Sequence, residues 1–181
     1  HKPTEEVDYS GHHLRILYAL KEKKLAGYPY EVKSSSRNTP ELIQDRKDAT
    51  LIMLNCKNSL KALNTIKSEG IKQAQFIINE IIERHEPIKD QFFTGIGNKL
   101  MYEDSMIAEE VMLEMLKLNH IALPVHDSFI IRNSASSELK TIMKKVFTKH
   151  YKKNKTILKT KETIFDVPFR DKHLHNKAVS Y

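Results

Sequence analysis

Apolar positions recur along the chain at two different spacings, and the change from one to the other marks out the elements. Val7 to Leu20, VDYSGHHLRILYAL, starts as an extended segment and then places Leu14, Leu17 and Tyr18 at helical spacing, so Asp8 falls where a strand gives way to a helix. Thr39-Pro40-Glu41 predicts a helix start, because threonine can cap and proline is tolerated in the first turn; this helix runs to about Cys56. Asn58 or Ser59 caps the next, with Leu60, Leu63 and Ile66 as its stripe and Gly70 as its close. Ile71, Ala74, Ile78 and Ile81 form a further stripe that ends near Pro87, after which Thr94 to Asn98, TGIGN, reads as a loop.

Asp104 to Asn119 predicts a helix with Ile107, Val111, Met115 and Leu118 on one face, and Glu103 and Asp104 near its favourable start. Ile121 to Arg132, IALPVHDSFIIR, contains two short β-prone runs around His126-Asp127-Ser128, the pattern of a hairpin with its polar residues at the turn. Pro124 cannot donate to a ladder, so its strand is irregular or at an edge. A last helix from about Ser137 buries Leu139, Ile142, Met143, Val146 and Phe147 and turns its lysines outward.

Composition narrows the class. With 40% hydrophobic and 29% charged residues over 181 positions, the chain can bury a core and is not a disordered tail. Runs such as Leu51–Leu54 fall far short of the roughly 20 apolar residues of a membrane span, and no signal peptide is visible. A lone Cys56 forms no internal disulfide and no zinc ribbon, so the expected setting is intracellular and cytoplasmic, nucleoid-associated or in a mobile-element or viral context.

The net charge of +7 is local. Nine lysines lie between Lys140 and Lys161, a stretch without a single acid, and the rest of the chain is close to neutral. A lysine face made of Lys144, Lys145, Lys149 and Lys152 is the expected footprint for a phosphate backbone, the alternative being a solvated helix surface.

Asp8 and Asp127 stand 119 positions apart, yet each projects from a rigid edge, and two such carboxylates can share divalent cations for phosphoryl transfer. Aspartate is also common as a helix cap and turn former, and spacing alone does not separate these roles.

The surrounding residues add a resemblance. Asp8-Tyr9-Ser10-Gly11-His12-His13-Leu14-Arg15 resembles the first motif of family A DNA polymerases, Asp-Tyr-Ser, two variable residues, Glu-Leu-Arg. Val125-His126-Asp127-Ser128-Phe129 resembles their third motif and, in its Ser-Phe ending, that of bacteriophage-type single-subunit RNA polymerases. A helix precedes the hairpin as it does in those enzymes, and similar blocks occur in polymerase-like proteins of mobile elements. The likeness extends from Asp8 to about Phe147.

This resemblance implies an α+β, polymerase-palm-like fold, a small antiparallel sheet with a motif hairpin packed by several helices. Residues 1–181 would form one palm-like domain, with 36–95 as a reduced, helical, fingers-like insertion. It further implies that Asp8 and Asp127 are catalytic and, with the Tyr9 carbonyl, bind two Mg²⁺ ions. His126 would lie at the primer terminus, and Arg15 would join the lysines in holding nucleic acid. DNA or RNA template-primer and nucleoside triphosphates are the implied partners, and no membrane is expected.

Two departures from the family pattern bear on the nucleotide. The expected Arg-x3-Lys pair of the fingers helix has only Arg46 and Lys47 to fill it, in Gln44 to Thr50, QDRKDAT, and neither register is complete. His13 falls where those DNA polymerases carry a Glu that excludes a 2′-hydroxyl, which opens the choice of sugar. Only seven residues precede Asp8, so thumb and N-terminal parts are expected to be missing, either from a fragment or from a very reduced polymerase. Template-directed nucleotidyl transfer is the leading expectation; a non-catalytic nucleic-acid-binding relic of the fold is the alternative. His12-His13 and His173-x-His175 lack a third ligand at metal spacing, and Gly95-Ile96-Gly97 is not a dinucleotide fingerprint.

Overall fold

Alternation decides which way the first strand faces. In β1, Thr4–Tyr9, the residues Glu5, Val7 and Tyr9 are buried, while Thr4 is exposed and Glu6 and Asp8 are half-buried. The structure, a computed structural model, describes residues 3–153 and 169–172, with side chains from Pro3 to Tyr151. The hairpin expected around His126 forms from β2, Leu123–Val125, and β3, Ser128–Arg132, with His126 and Asp127 as its two-residue turn. With β4, Phe169–Lys172, these strands make an antiparallel sheet in the order β2-β3-β1-β4. Pro124 lies in β2, an edge strand, where its missing N–H costs no ladder bond.

Two compact units divide the chain. One takes the described residues up to His12 and from Asp104 onward; the other is His13–Glu103.

In the first unit, the inner face of the sheet packs on α6, Ser136–Lys153, through Val7, Tyr9, Phe129 and Ile131 against Leu139, Met143, Val146 and Phe147. The Tyr9 hydroxyl donates to the Met143 carbonyl at 2.9 Å. Glu5, a carboxylate on the buried face, is answered by Lys140 Nζ at 3.2 Å. These observations bear out the mixed α+β class.

The second unit holds four helices besides its 3-10 turns: α1, His12–Leu20, from its second residue on; α2, Pro40–Asn55; α3, Ser59–Ser68; and α4, Ala74–Arg84; α5, Gly97–Lys117, begins there. The predicted caps are present, since Thr39 accepts from Leu42 N and Asn58 from Lys61 N. Its core includes Leu14, Leu17, Met53, Leu54, Ile66, Ile77, Ile81 and Ile88.

α5 starts at Gly97, ahead of the predicted Asp104. A Cβ at Gly97 would meet the end of the exposed Asn55 side chain, which would have to move aside, while Gly95 takes a positive φ of 72° that glycine adopts without strain. Asp104 is consequently an interior residue of the helix rather than a first-turn acid.

Candidate functional site

β1 and β3 run antiparallel with Asp8 opposite Ser128, and Tyr9 N donates to the Asp127 carbonyl at 3.4 Å. Asp8 and Asp127 thus lie on neighbouring positions at one end of the sheet, with strands about 4.8 Å apart. Asp8 is on the face opposite the one packed by α6; Asp127 is exposed at the turn. Ser128 Oγ donates to Glu6 Oε1 and to the Val125 carbonyl, each at 2.8 Å, which ties the acidic face of β1 to the hairpin. On the other flank of β1 the register sets Arg170 across from Asp8 and Lys172 across from Glu6.

The turn is strained. His126 has φ 53°, and a positive φ at the first of two turn residues is the pattern of a type II′ turn, which normally carries glycine there. Its side chain is exposed. At the other junction Gly11, φ 64°, takes the left-handed conformation in the turn that follows β1.

Behind Asp8, burial first and then the nearby charge of Asp104 hold the Tyr9 phenol protonated well above its ordinary range. The His12 ring stacks on Tyr9 at 4.3 Å with an interplanar angle of 22°.

Hard oxygen donors suit Mg²⁺, which takes one or two carboxylates and fills its remaining positions with water and phosphate oxygens. Asp8, Asp127 and the Tyr9 carbonyl are such donors, and Asp127 is open to solvent, so these residues fit the ion.

Other expected site residues are placed differently. Arg46 is 1% exposed; its Nε donates to the Tyr30 carbonyl at 2.6 Å, Nη2 to the Arg37 carbonyl at 2.8 Å and to Asn38 Oδ1 at 3.1 Å, and Nη1 to Glu80 Oε2 at 3.1 Å. A guanidinium with its fork filled inside the second unit cannot also grip a triphosphate, which corrects the expectation for Arg46. Lys47 is exposed and His13 half-buried, both in that unit. Arg15 is also buried, at 5% exposure, with Nη2 3.4 Å from the Gly27 carbonyl, and is no surface contact for nucleic acid.

The lysine face is exposed but not unopposed. Lys145 pairs with Glu114 at 3.3 Å and Lys149 with Glu110, both acids projecting from α5. Lys117 adds a second partner for Glu114. The stretch is acid-free in sequence; in space, α5 supplies the acids. Lys144 is exposed. The Lys152 side chain, His173 and His175 lie outside the described residues.

No protein-family model matches the chain, and no curated protein matches it. Among the described residues, no helix is long and apolar enough to cross a membrane.

Proposed function

We propose that this chain carries out template-directed nucleotidyl transfer with nucleoside triphosphates as substrates. One observation carries the reading: antiparallel pairing of β1 with β3 brings Asp8 and Asp127, from two polymerase-like motifs 119 positions apart, to adjacent positions at one sheet end. Asp8, Asp127 and the Tyr9 carbonyl would hold Mg²⁺, which, when bound, neutralises charge on the attacking and leaving oxygens. The protein's own part is positioning. Ladder pairing fixes the backbone of Asp8 and of Ser128, the residue after Asp127, and reactants held in place need no further ordering as they react. The exposed turn leaves room for a nucleic-acid end beside His126.

The test is primer extension by the 181-residue chain with Mg²⁺, offering deoxy- and ribonucleotides separately. Extension is expected, and Asp8→Asn or Asp127→Asn should each lower it by at least about 100-fold with template affinity retained. Extension unaltered by both substitutions, or no extension at all, overturns the reading.

A second reading, a nucleic-acid-binding relic of the polymerase fold, is favoured by the burial of Arg46 on the helix where triphosphate-gripping cations were expected. It predicts primer-template binding without extension.

A further inference from the structure

Polar residues occupy two inward positions of the first unit where apolar ones would pack more simply. His12 is 2% exposed, stacked on Tyr9 and edge-on to Phe147 at 5.7 Å. Asp104 interrupts the apolar stripe of α5, between Leu100 and the buried Ile107, Val111 and Met115, with its side chain 20% exposed. The two meet, His12 Nε2 lying 3.1 Å from Asp104 Oδ1. The approach lacks the geometry of an in-line hydrogen bond, and His12 Nδ1 is buried among rings.

Their place in the chain adds meaning. His12 is the last residue of the first unit before the chain leaves it, and Asp104 the first after it returns, so the contact closes that unit where its two segments join. Apolar packing is indifferent to direction, whereas a buried polar pair favours one arrangement and can serve specificity. The residue so fixed is Tyr9, whose ring meets His12 and whose hydroxyl reaches Met143 O; Asp8 immediately precedes it in β1.

We propose that His12 and Asp104 are positioning residues that hold Tyr9, and through it the Asp8 carboxylate, in working alignment; this rests on the nucleotidyl-transfer reading. Neither residue touches substrate. They act on the place of the carboxylate, so their loss lowers turnover without weakening nucleotide binding.

The experiment compares the full chain with its Asp104→Asn, His12→Phe and His12→Gln variants. Primer extension gives kcat and KM, electron paramagnetic resonance gives Mn²⁺ affinity, and circular dichroism gives Tm. Loss of such supporting contacts typically costs 10- to 100-fold in activity or metal affinity. Asp104→Asn and His12→Phe are expected to lower kcat by about that factor, with KM for nucleotide within about twofold and Mn²⁺ affinity weakened in parallel. His12→Gln, which keeps a polar side chain beside Asp104 where phenylalanine has none, should recover part of the kcat lost in His12→Phe. If Asp104→Asn does not fold, the two His12 variants carry the comparison. Unmoved kcat and Mn²⁺ affinity, whatever happens to Tm, overturn the proposal, as does a loss confined to KM. A wild-type chain that neither extends primers nor binds Mn²⁺ through Asp8 overturns the polymerase reading along with it; an active wild type with unmoved variants overturns this inference alone.

Discussion

Arg46 and Glu80, 34 positions apart, form the buried ion pair that organises the loop side of the helical unit. Around it Arg37 donates to the same carboxylate from Nε at 3.0 Å and lies 4.7 Å above the Phe76 ring, while Asn38 clasps the Val32 backbone in both directions. The segment from Tyr28 to Thr39, poor in regular structure, is thereby fastened to α2 and α4.

Removing one partner of a buried pair leaves an uncompensated charge, so Arg46→Ala should destabilise the protein by about 3–5 kcal/mol in urea unfolding. Arg46→Lys restores the charge but not the fork that reaches Tyr30, Arg37 and Asn38, and should recover less than half of that loss. The double variant Arg46→Met, Glu80→Leu should cost well below the sum of the single changes. A fully additive result would show that the pair is not coupled.

The elements were legible in the sequence because their signals are local. Thr39-Pro40 and Asn58 predict helix starts found at Pro40 and Ser59, and the hairpin around His126 follows from two β-prone runs and a polar centre. The neighbouring placement of Asp8 and Asp127 was legible only through the motif resemblance, since strand pairing over 119 positions leaves no local trace. Arg46 shows why other roles were hidden. Its helix reads as alternating solvated charge, and what buries it is Glu80 on α4. The ion pairs of the α6 lysines were hidden for the same reason, their acids standing on α5. Asp104 reads as a first-turn acid because the regular apolar stripe of Ile107, Val111 and Met115 follows it, whereas Gly97 opens the helix earlier.

His85 gives the second unit a stability that depends on pH. Burial, and then the neighbouring Arg84 cation, lower its pKa from 6.5 to about 4, against the opposing hydrogen bond to Pro29. The neutral ring donates from Nε2 to the Pro29 carbonyl at 3.0 Å and accepts at Nδ1 from the Tyr18 hydroxyl at 3.2 Å. The unfolded chain takes up a proton below pH 6.5 and the folded chain only near 4, so stability is full above 6.5 and falls as pH drops through that window. The span is roughly 3 kcal/mol. Unfolding curves between pH 4 and 7 should show this slope in the wild type and lose it in His85→Gln; equal slopes would refute the assignment.

Glu110 and Glu114 should restrain nucleic-acid binding by the α6 face. With Lys149 and Lys145 held in ion pairs, fewer cations are available to displace counterions from phosphates. Glu110→Gln with Glu114→Gln is expected to raise affinity at low salt and steepen the slope of log K against log salt by up to about 1.8, roughly 0.9 for each lysine released. An unchanged slope would assign these lysines to a solvated face.

His126 poses stability against activity at a single position. A non-glycine residue held at positive φ costs about 1–2 kcal/mol, and glycine removes that strain while losing about 0.5–1 kcal/mol in chain entropy. His126→Gly should therefore stabilise the fold by roughly 0.5–1 kcal/mol. Strained residues that persist cluster at working sites, and this one adjoins Asp127 at the exposed tip. If the turn holds Asp127 in place, the same substitution should lower primer extension by roughly 10- to 100-fold, since small misplacements at a reacting centre are costly. His126→Asn separates the causes: asparagine tolerates positive φ, so it preserves the turn while removing the imidazole. Activity kept in His126→Asn and lost in His126→Gly would assign the effect to turn geometry, and loss in both would assign it to the ring. A glycine variant that is more stable and fully active would reduce His126 to a turn residue without a functional part.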